Sequence, residues 1–454
     1  MELEAGGVIR LPRPLASALA RPPAVAMAVD VDRLSYEIFS ILESKFLFGY
    51  DDSPQPSVLS SASTGTPPTA AGPGGRVRIL SIDGGGHPSE ALLAAASLAR
   101  LESSLTRLSG NPSARVADFF DVASGSGAGG VLALMLFARG ADGRPLFSAD
   151  EAQRLLAAWS GRSPFRSGQR GSVLERLLRR RPWRRLRRAF GDATLRDTVK
   201  PVLIPCYDLA TGAAFLFSRA DAMEADGYDF RIQEVCAATC ADPAFPAVEI
   251  SSTDCRTRIA AVGSGIAMGN PAAAAITHVL NNKPEFPFAV GVDDLMLLSL
   301  GTNISATQKA PRRPAKSTAE LVRITVDGTA DMVDQAIAMA FGHNRINNYV
   351  RIQDNGFGSG NSAPRTSDPK DLMRTLEDTL LQRNVESSLF RGKKVSEQTN
   401  AEKLERFAGE LIKEEEKRKK SLIPIVVLKQ VITPSTSSTV SSVVTAATSR
   451  TSTS

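Results

Sequence analysis

Two strand-like apolar runs of this 454-residue chain pass directly into glycine-rich turns that precede helical patterns. The first lies at 79–88 and reads ILSIDGGGHP, and the second lies at 119–130 and reads FFDVASGSGAGG. A strand that turns tightly into a helix is the repeating unit of α/β proteins. This feature, present twice, predicts an α/β fold.

Other apolar runs alternate with helical patterns along the middle of the chain. We interpret the following runs as buried strands: Val77–Ile82, Phe119–Ala123, Val202–Pro205, Ile259–Val262 and Leu295–Leu300. Helical segments between them include Glu90–Leu108 and Ala128–Ala138. Near-continuous apolar strands are typical of sheets that are covered on both faces. The sequence therefore predicts a three-layer fold with a central, mostly parallel β-sheet flanked by helices.

Composition divides the chain into five regions. They are an N-terminal extension with an amphipathic helix (1–52), a flexible linker (53–75), the main domain (76–355), a C-terminal helical extension (356–432) and a disordered Ser/Thr-rich tail (433–454). In the fourth region we expect helices from Asp368 and after Asn400. Glu414–Glu416 precede Arg418–Lys420 by four residues. We interpret these as i,i+4 pairs of opposite charge that stabilise one helix.

The sequence carries no pattern of a membrane-embedded or secreted protein. No run approaches the ~20 apolar residues that span a bilayer, and Glu2 and Glu4 stand where a secretory signal carries positive charge. An organelle-targeting peptide is the alternative left open for residues 1–29. The four scattered cysteines suit a reducing compartment and have no metal-ligand spacing. We expect a cytoplasmic protein.

The net charge of +6 comes from one segment. It holds eight arginines, namely Arg176, Arg179, Arg180, Arg181, Arg184, Arg185, Arg187 and Arg188. They alternate with leucine and tryptophan, as in segments that lie on anionic lipid. We predict that those from Arg179 onward bind an anionic membrane surface. A solvated protein surface remains the alternative, and nucleic acid is not expected because no recognition fold accompanies the charge.

The glycine turns predict the chemistry. Three glycines at the start of a helix expose backbone N–H groups that can bind an anion or a developing oxyanion. The second turn has the small residues of a nucleophile elbow, but Gly127 occupies the central position of G-x-S-x-G. Gly125, Gly127 and Gly130 also match G-x-G-x-x-G, so a dinucleotide site with Asp150 or Glu151 is a remote alternative.

These motifs resemble those of the patatin-like acyl hydrolases, most closely the plant patatin-related phospholipase A subgroup in which the elbow serine is glycine. ILSIDGGGHP is similar to the family's ILSIDGGGxR, and FDVASGSGAGG is similar to FDVIAGTSTGG. Further similar segments are TLRDT at 194–198, IPCYD at 204–208, ATCADP at 238–243, LSLGT at 298–302 and NYVRIQ at 348–353. The resemblance spans roughly residues 76–355.

The resemblance implies a Ser–Asp dyad and an oxyanion hole, with no metal or cofactor. Matched by motif, the oxyanion hole is Gly84, Gly85, Gly86 and Ala128, and the elbow motif is Gly125, Gly127 and Gly129. The nucleophile position holds Gly127 and the acid/base position holds Gly263, so no catalytic pair is intact. Pro88 stands at the family's arginine.

Substitutes for the dyad are few. Ser126 is the nearest alternative nucleophile, Ser124 is a second, and Ser264 is placed to orient a water. His87 is a candidate base, although a helix-start role also fits it. Asp83 and Asp121 are expected to stabilise the turns through local hydrogen bonds.

The sequence thus predicts a lipolytic acyl hydrolase that acts on phospholipids or galactolipids by a non-standard mechanism. It is expected to be peripherally associated with membranes. The alternative is a catalytically inactive lipid-binding protein built on the same scaffold.

Overall fold

The strand β1 (Val77–Ile82) is buried along its whole length and lies inside an eight-stranded sheet in this computed structural model. The structure describes residues 75–160, 188–243, 245–265, 267–302, 318–353, 369–388, 392–421 and 423–429. The predicted N-terminal helix, nearly all of the linker, the arginines from Arg176 to Arg187 and the Ser/Thr-rich tail lie outside these residues.

The other strands are β2 (Val122–Gly125), β3 (Val202–Asp208), β4 (Ala213–Ser218), β5 (Val248–Ser251), β6 (Arg258–Gly263), β7 (Leu295–Leu300), β8 (Tyr349–Ile352), β9 (Arg383–Ser388) and β10 (Gly392–Thr399). The longer helices are α1 (Leu92–Ser109), α2 (Gly127–Phe137), α3 (Ala149–Ser160), α4 (Arg219–Glu224), α5 (Ile232–Thr239), α6 (Ala272–Asn281), α7 (Thr318–Ala340), α8 (Pro369–Leu381) and α9 (Asn400–Lys420). Single-turn helices include Pro88–Ala91, Val116–Phe119 and Arg345–Asn348.

The sheet order is β5-β6-β3-β2-β1-β7-β8, with β4 paired to β3. The pairs β1–β2, β1–β7, β2–β3 and β7–β8 are parallel, whereas β3–β4, β3–β6 and β5–β6 are antiparallel. The α/β fold with a mostly parallel central sheet is therefore confirmed.

Side chains of β1 alternate between two cores, one on each face of the sheet. Leu80 and Ile82 pack in the core that α1, α2, α5 and α9 cover. Val77 and Ile79 pack in the second core, beneath α6 and the carboxyl-terminal half of α7. Because both faces are buried, apolar residues occupy four of the six positions of the strand, on both of its faces. The fold therefore has three layers.

Two local predictions were wrong. Phe119 ends a single-turn helix, and the strand begins only at Val122, because Asp118 caps that helical turn by accepting a hydrogen bond from Arg115 N at 2.8 Å. The C-terminal region is not purely helical, since β9 and β10 form an antiparallel hairpin between α8 and α9. Among the described residues, no helix is both long and apolar enough to cross a bilayer.

Candidate functional site

The two glycine turns lie side by side because β1 and β2 are parallel neighbours. Ile82 pairs with Gly125 at the carboxyl ends of the two strands. The Ser126 amide donates to the Ile82 carbonyl at 3.0 Å and fixes the second turn against the first strand. Gly84–Gly86 therefore pass directly over the start of α2.

The turn at Gly127, where the sequence predicts an elbow, leads directly from β2 into α2. Gly127 opens α2 with a φ of +53°, in the left-handed region that favours glycine. Its amide donates to Thr239 Oγ1 at 2.9 Å and to Ser264 Oγ at 3.2 Å. Gly125 and Gly129 pack so closely that a Cβ on Gly125 would lie 2.5 Å from the Gly129 carbonyl oxygen. The chain therefore makes a tight strand-to-helix turn at a residue that has no side chain.

The space where a nucleophile would stand is occupied by backbone. A Cβ on Gly127 would lie well inside 3.0 Å of the Gly85 carbonyl oxygen and would also meet the Gly84 carbonyl. The Gly85 carbonyl accepts a hydrogen bond of 2.8 Å from the Ala128 amide, which fixes it there. In this conformation the glycine loop excludes any side chain from position 127.

Backbone atoms also fill the space beside Gly263, the predicted acid/base position. Gly263 ends β6, and its amide donates to the Ala241 carbonyl at 2.7 Å. A Cβ on Gly263 would lie 2.5 Å from that oxygen and 3.0 Å from the Thr239 carbonyl oxygen. Neither residue of a Ser–Asp dyad fits this backbone without a local shift.

Three buried hydroxyl groups form a cluster beneath Gly127. Ser126 Oγ lies 2.7 Å from Ser264 Oγ, which lies 3.1 Å from Thr239 Oγ1. Ser126 Oγ also lies 3.3 Å from the Gly84 carbonyl, and both serines are fully buried. Neither of these two partners of Ser126 Oγ, the Ser264 hydroxyl and the Gly84 carbonyl, is a general base. Ser124 is equally buried, and its Oγ donates to the Leu80 carbonyl at 3.4 Å.

His87 caps the turn that follows the glycines. Its Nδ1 lies 2.6 Å from Ser89 Oγ and accepts from the Ser89 amide at 3.2 Å. Burial lowers the pKa of His87, so the ring is neutral at pH 7. These bonds fit the helix-start role that the sequence left open.

The two aspartates make long-range contacts, so the expectation that they act through local hydrogen bonds was wrong. Asp83 Oδ2 lies 2.6 Å from Arg351 Nη2, and Arg351 Nη1 donates to Ser299 Oγ at 2.7 Å. Burial lowers the pKa of Arg351, but Asp83, Asp334 and Tyr349 together outweigh burial, so that pKa is raised. This buried pair joins the glycine loop to the end of β8.

Asp121 lies at the opposite end of the sheet. Its carboxylate accepts hydrogen bonds from the Arg78 amide at 2.8 Å and from Arg418 Nη2 at 2.6 Å. Arg418 lies on α9, and Glu415 of that helix binds Arg78 Nη1 at 2.7 Å. The charged residues of α9 therefore contact the sheet and do more than support their own helix.

Glu90 contacts the glycine loop and was missed from the sequence. Its backbone amide donates to the His87 carbonyl at 3.0 Å, and its carboxylate packs against Gly85. A Cβ on Gly85 would overlap that carboxylate. The available signal was its position three residues after the capping residue His87, as in a capping box. Gly84–Gly86 and Ala128 stay a predicted oxyanion hole, because here the Ala128 amide already donates to the Gly85 carbonyl at 2.8 Å.

Comparison with known proteins gives the family. The family model for the patatin-like phospholipase domain matches residues 80–276. Patatin-like protein 3 of Oryza sativa subsp. japonica is 53% identical over 392 residues, which cover 86% of this chain and 92% of the relative. The chain belongs to the patatin-like family.

Two Arabidopsis thaliana relatives extend the comparison. Patatin-like protein 7 is 48% identical over 431 residues, 89% of this chain and 85% of the relative. A protein named probable inactive patatin-like protein 9 is 38% identical over 402 residues, 85% of this chain and 94% of the relative. The patatin-like family thus includes a relative whose name marks it as without activity.

The patatin-like fold leaves no support for the dinucleotide alternative. Asp150 and Glu151 lie in the first turn of α3 and not at a strand end. Asp150 pairs with Arg154 at 2.5 Å, and Glu151 accepts from the Ser148 amide at 2.9 Å. Both carboxylates therefore make their contacts at the start of α3.

Proposed function

We propose that this patatin-like protein binds phospholipids or galactolipids at a membrane surface and does not hydrolyse them through a Ser–Asp dyad. The observation that carries the proposal is the Gly85 carbonyl, which fills the nucleophile position above Gly127. Family membership supports lipid as the ligand class. The proposal includes a cytoplasmic protein that attaches to membranes peripherally.

Slow acyl hydrolysis by a directly attacking water is the second candidate. The retained elbow backbone and the adjacent glycine loop favour it. Removing the nucleophile of a hydroxyl-based hydrolase costs about 10⁶ in turnover, although an oxyanion hole and binding alone can give roughly 10³–10⁴ over water. Turnover would then fall from a typical ~10 s⁻¹ to about 10⁻⁵ s⁻¹.

Vesicle assays separate the two candidates. We expect the purified full chain to sediment with phospholipid or galactolipid vesicles and to release no fatty acid above the background of vesicles alone, whereas a directly attacking water predicts release at about 10⁻⁵ s⁻¹. Release near 1 s⁻¹ would contradict the proposal. In that case Ser126→Ala and His87→Ala test the substitute residues, because loss of release in either variant would identify its role.

The arginine segment is expected to supply the attachment. Each basic residue near an anionic surface contributes about 1 kcal/mol. Changing Arg179, Arg180 and Arg181 to glutamine should therefore weaken sedimentation with anionic vesicles by up to about 10²-fold. Lys417, Lys419 and Lys420, exposed at the end of α9, give a control with the same loss of charge. Equal weakening on neutral vesicles would reject the electrostatic explanation.

A further inference from the structure

A cavity of about 340 Å³ lies at the opposite end of the sheet from the glycine turns. Two of its lining residues, Asp121 and Lys200, precede the amino ends of β2 and β3. The glycine turns follow the carboxyl ends of β1 and β2, and these three strands run parallel. The cavity is therefore separate from the candidate functional site. Its volume is within the range of about 300–1,000 Å³ that is usual for small-molecule sites.

The segment that follows α9 forms an apolar wall of this cavity. The wall residues are Ile423, Pro424, Ile425, Val426 and Leu428. The Val427 amide donates to the Glu285 carbonyl at 2.9 Å. The buried Arg219 donates from Nη2 to the Lys429 carbonyl at 3.0 Å, and Ile425 packs in the second core. Because these contacts fix the wall, a ligand does not have to order it on binding.

The polar side of the cavity has more positive than negative charge. Lys200 and Arg418 line it together with Asp121. The Asp121 carboxylate already accepts hydrogen bonds from Arg418 and from the Arg78 amide. Lys200 is half-buried, and within the described part of the chain its ammonium has no hydrogen-bond or ion-pair partner. Withdrawing a charge from water is costly unless a counter-charge pairs with it, so the cavity favours an anion.

We propose that this cavity binds an amphiphilic phosphomonoester, with its phosphate on Lys200 and its aliphatic tail against the apolar wall. A phosphomonoester carries about 1.5–2 negative charges at pH 7, which suits a lining with two cations better than the single charge of a carboxylate does. Lysine binds phosphate as a compact point charge. The tail gains free energy by leaving water for the wall. This second site does not depend on the proposed function.

The alternative is that Lys200 is an ordinary solvated side chain beside a groove that binds nothing. A matched control is Lys394 of β10, which is exposed and outside the cavity lining. Lys394→Gln removes the same charge as Lys200→Gln. Lys200→Arg is a second control, because it changes the side chain and retains the charge.

The test measures binding of hexyl phosphate, inorganic phosphate and hexanol to the full chain by titration calorimetry, and we expect hexyl phosphate to bind most tightly. Lys200→Gln should weaken hexyl phosphate binding about tenfold, as loss of a hydrogen bond to a charged group does. Lys200→Arg and Lys394→Gln should leave it unchanged. Ile423 is 44% exposed, and Ile423→Ser should weaken hexyl phosphate binding about fivefold while leaving inorganic phosphate binding unchanged.

Absence of hexyl phosphate binding overturns the inference, and so does equal weakening in Lys200→Gln and Lys394→Gln. Inorganic phosphate that binds as tightly as hexyl phosphate would reject the amphiphile, because the tail would then contribute nothing. Hexanol that binds as tightly would reject the role of Lys200. If Lys200→Gln does not fold, Ile423→Ser still decides, since unchanged hexyl phosphate affinity in that variant removes the wall from the site.

Discussion

Restoring a serine at Gly127 is expected to lower the free energy of unfolding by about 2–5 kcal/mol without creating hydrolysis. A left-handed backbone costs a residue with a side chain about 1–2 kcal/mol. Insertion of atoms into a filled site typically costs about 1–3 kcal/mol more. At Gly127 both costs apply, because its φ is +53° and a Cβ would collide with the Gly85 carbonyl.

A control for the backbone cost is present in the chain. Gly191 has a φ of +56°, and a Cβ there would meet nothing within 4 Å. We expect Gly191→Ser to lose only the about 1–2 kcal/mol of the left-handed conformation. Urea unfolding of both variants measures the difference, which reports the collision with the glycine loop. If Gly127→Ser is as stable as Gly191→Ser, the loop moves aside at no cost and the site is not closed.

The double variant Gly127→Ser with Gly263→Asp should be less stable again. The new carboxylate would enter a site bounded by the carbonyl oxygens of Ala241 and Thr239, and a buried charge without a partner is costly. We expect no measurable fatty-acid release from it. Recovered hydrolysis, together with native stability, would contradict the view that these two positions are filled by backbone.

Local sequence patterns were sufficient to predict five strands of the mostly parallel sheet and the place of the glycine turns, but not β4, β5 and β8. The strand-turn-helix order of residues 79–88 and 119–130 indicated a mostly parallel sheet, and the pairing of Ile82 with Gly125 shows that both turns lie at one edge. The tight strand-to-helix turn at Gly127 followed from the small residues around it. These features depend on residue type and spacing along short segments.

The closure of the site could not be predicted. The direction of the Gly85 carbonyl depends on a peptide orientation that glycine leaves free. The hydroxyl cluster joins Ser126 and Ser264, which are 138 residues apart in sequence. The hairpin of β9 and β10 was missed because strands such as GKKVSEQT have no apolar alternation. Such features depend on tertiary packing, which a local sequence pattern does not predict.

Removing Arg418 is the second change expected to have a large effect. Arg418 donates to both oxygens of Asp121, at 2.8 Å from Nη1 to Oδ1 and at 2.6 Å from Nη2 to Oδ2. Asp121 is 1% exposed, so its charge is almost entirely out of water. Breaking a buried ion pair by removing one partner typically costs 3–5 kcal/mol. Because Arg78 remains beside Asp121, we expect Arg418→Gln to lose about 3 kcal/mol.

The same helix offers a matched surface pair. Arg107 of α1 pairs with Glu405 of α9, and the two side chains are 63% and 41% exposed. Exposed ion pairs contribute about 0–1 kcal/mol. Arg107→Gln should therefore change the free energy of unfolding by less than about 1 kcal/mol, although it too removes a contact between α9 and the rest of the fold. Similar losses in both variants would mean that burial of Asp121 does not strengthen its pair.

Lowering the pH should remove the contribution of ionised Asp121 to the free energy of unfolding. Burial alone would raise the pKa of Asp121, but Arg78 and Arg418 outweigh burial and keep that pKa below its ordinary value. The unfolded chain, with a pKa of about 3.9 for aspartate, binds the proton first as the pH falls. The stabilisation is therefore complete above about pH 4 and is lost progressively below it. Between pH 6 and pH 3 we expect the stability advantage of the unchanged protein over Asp121→Asn to shrink by about 1 kcal/mol. An advantage that stays constant or grows on acidification would show that Asp121 is not held ionised by the two arginines.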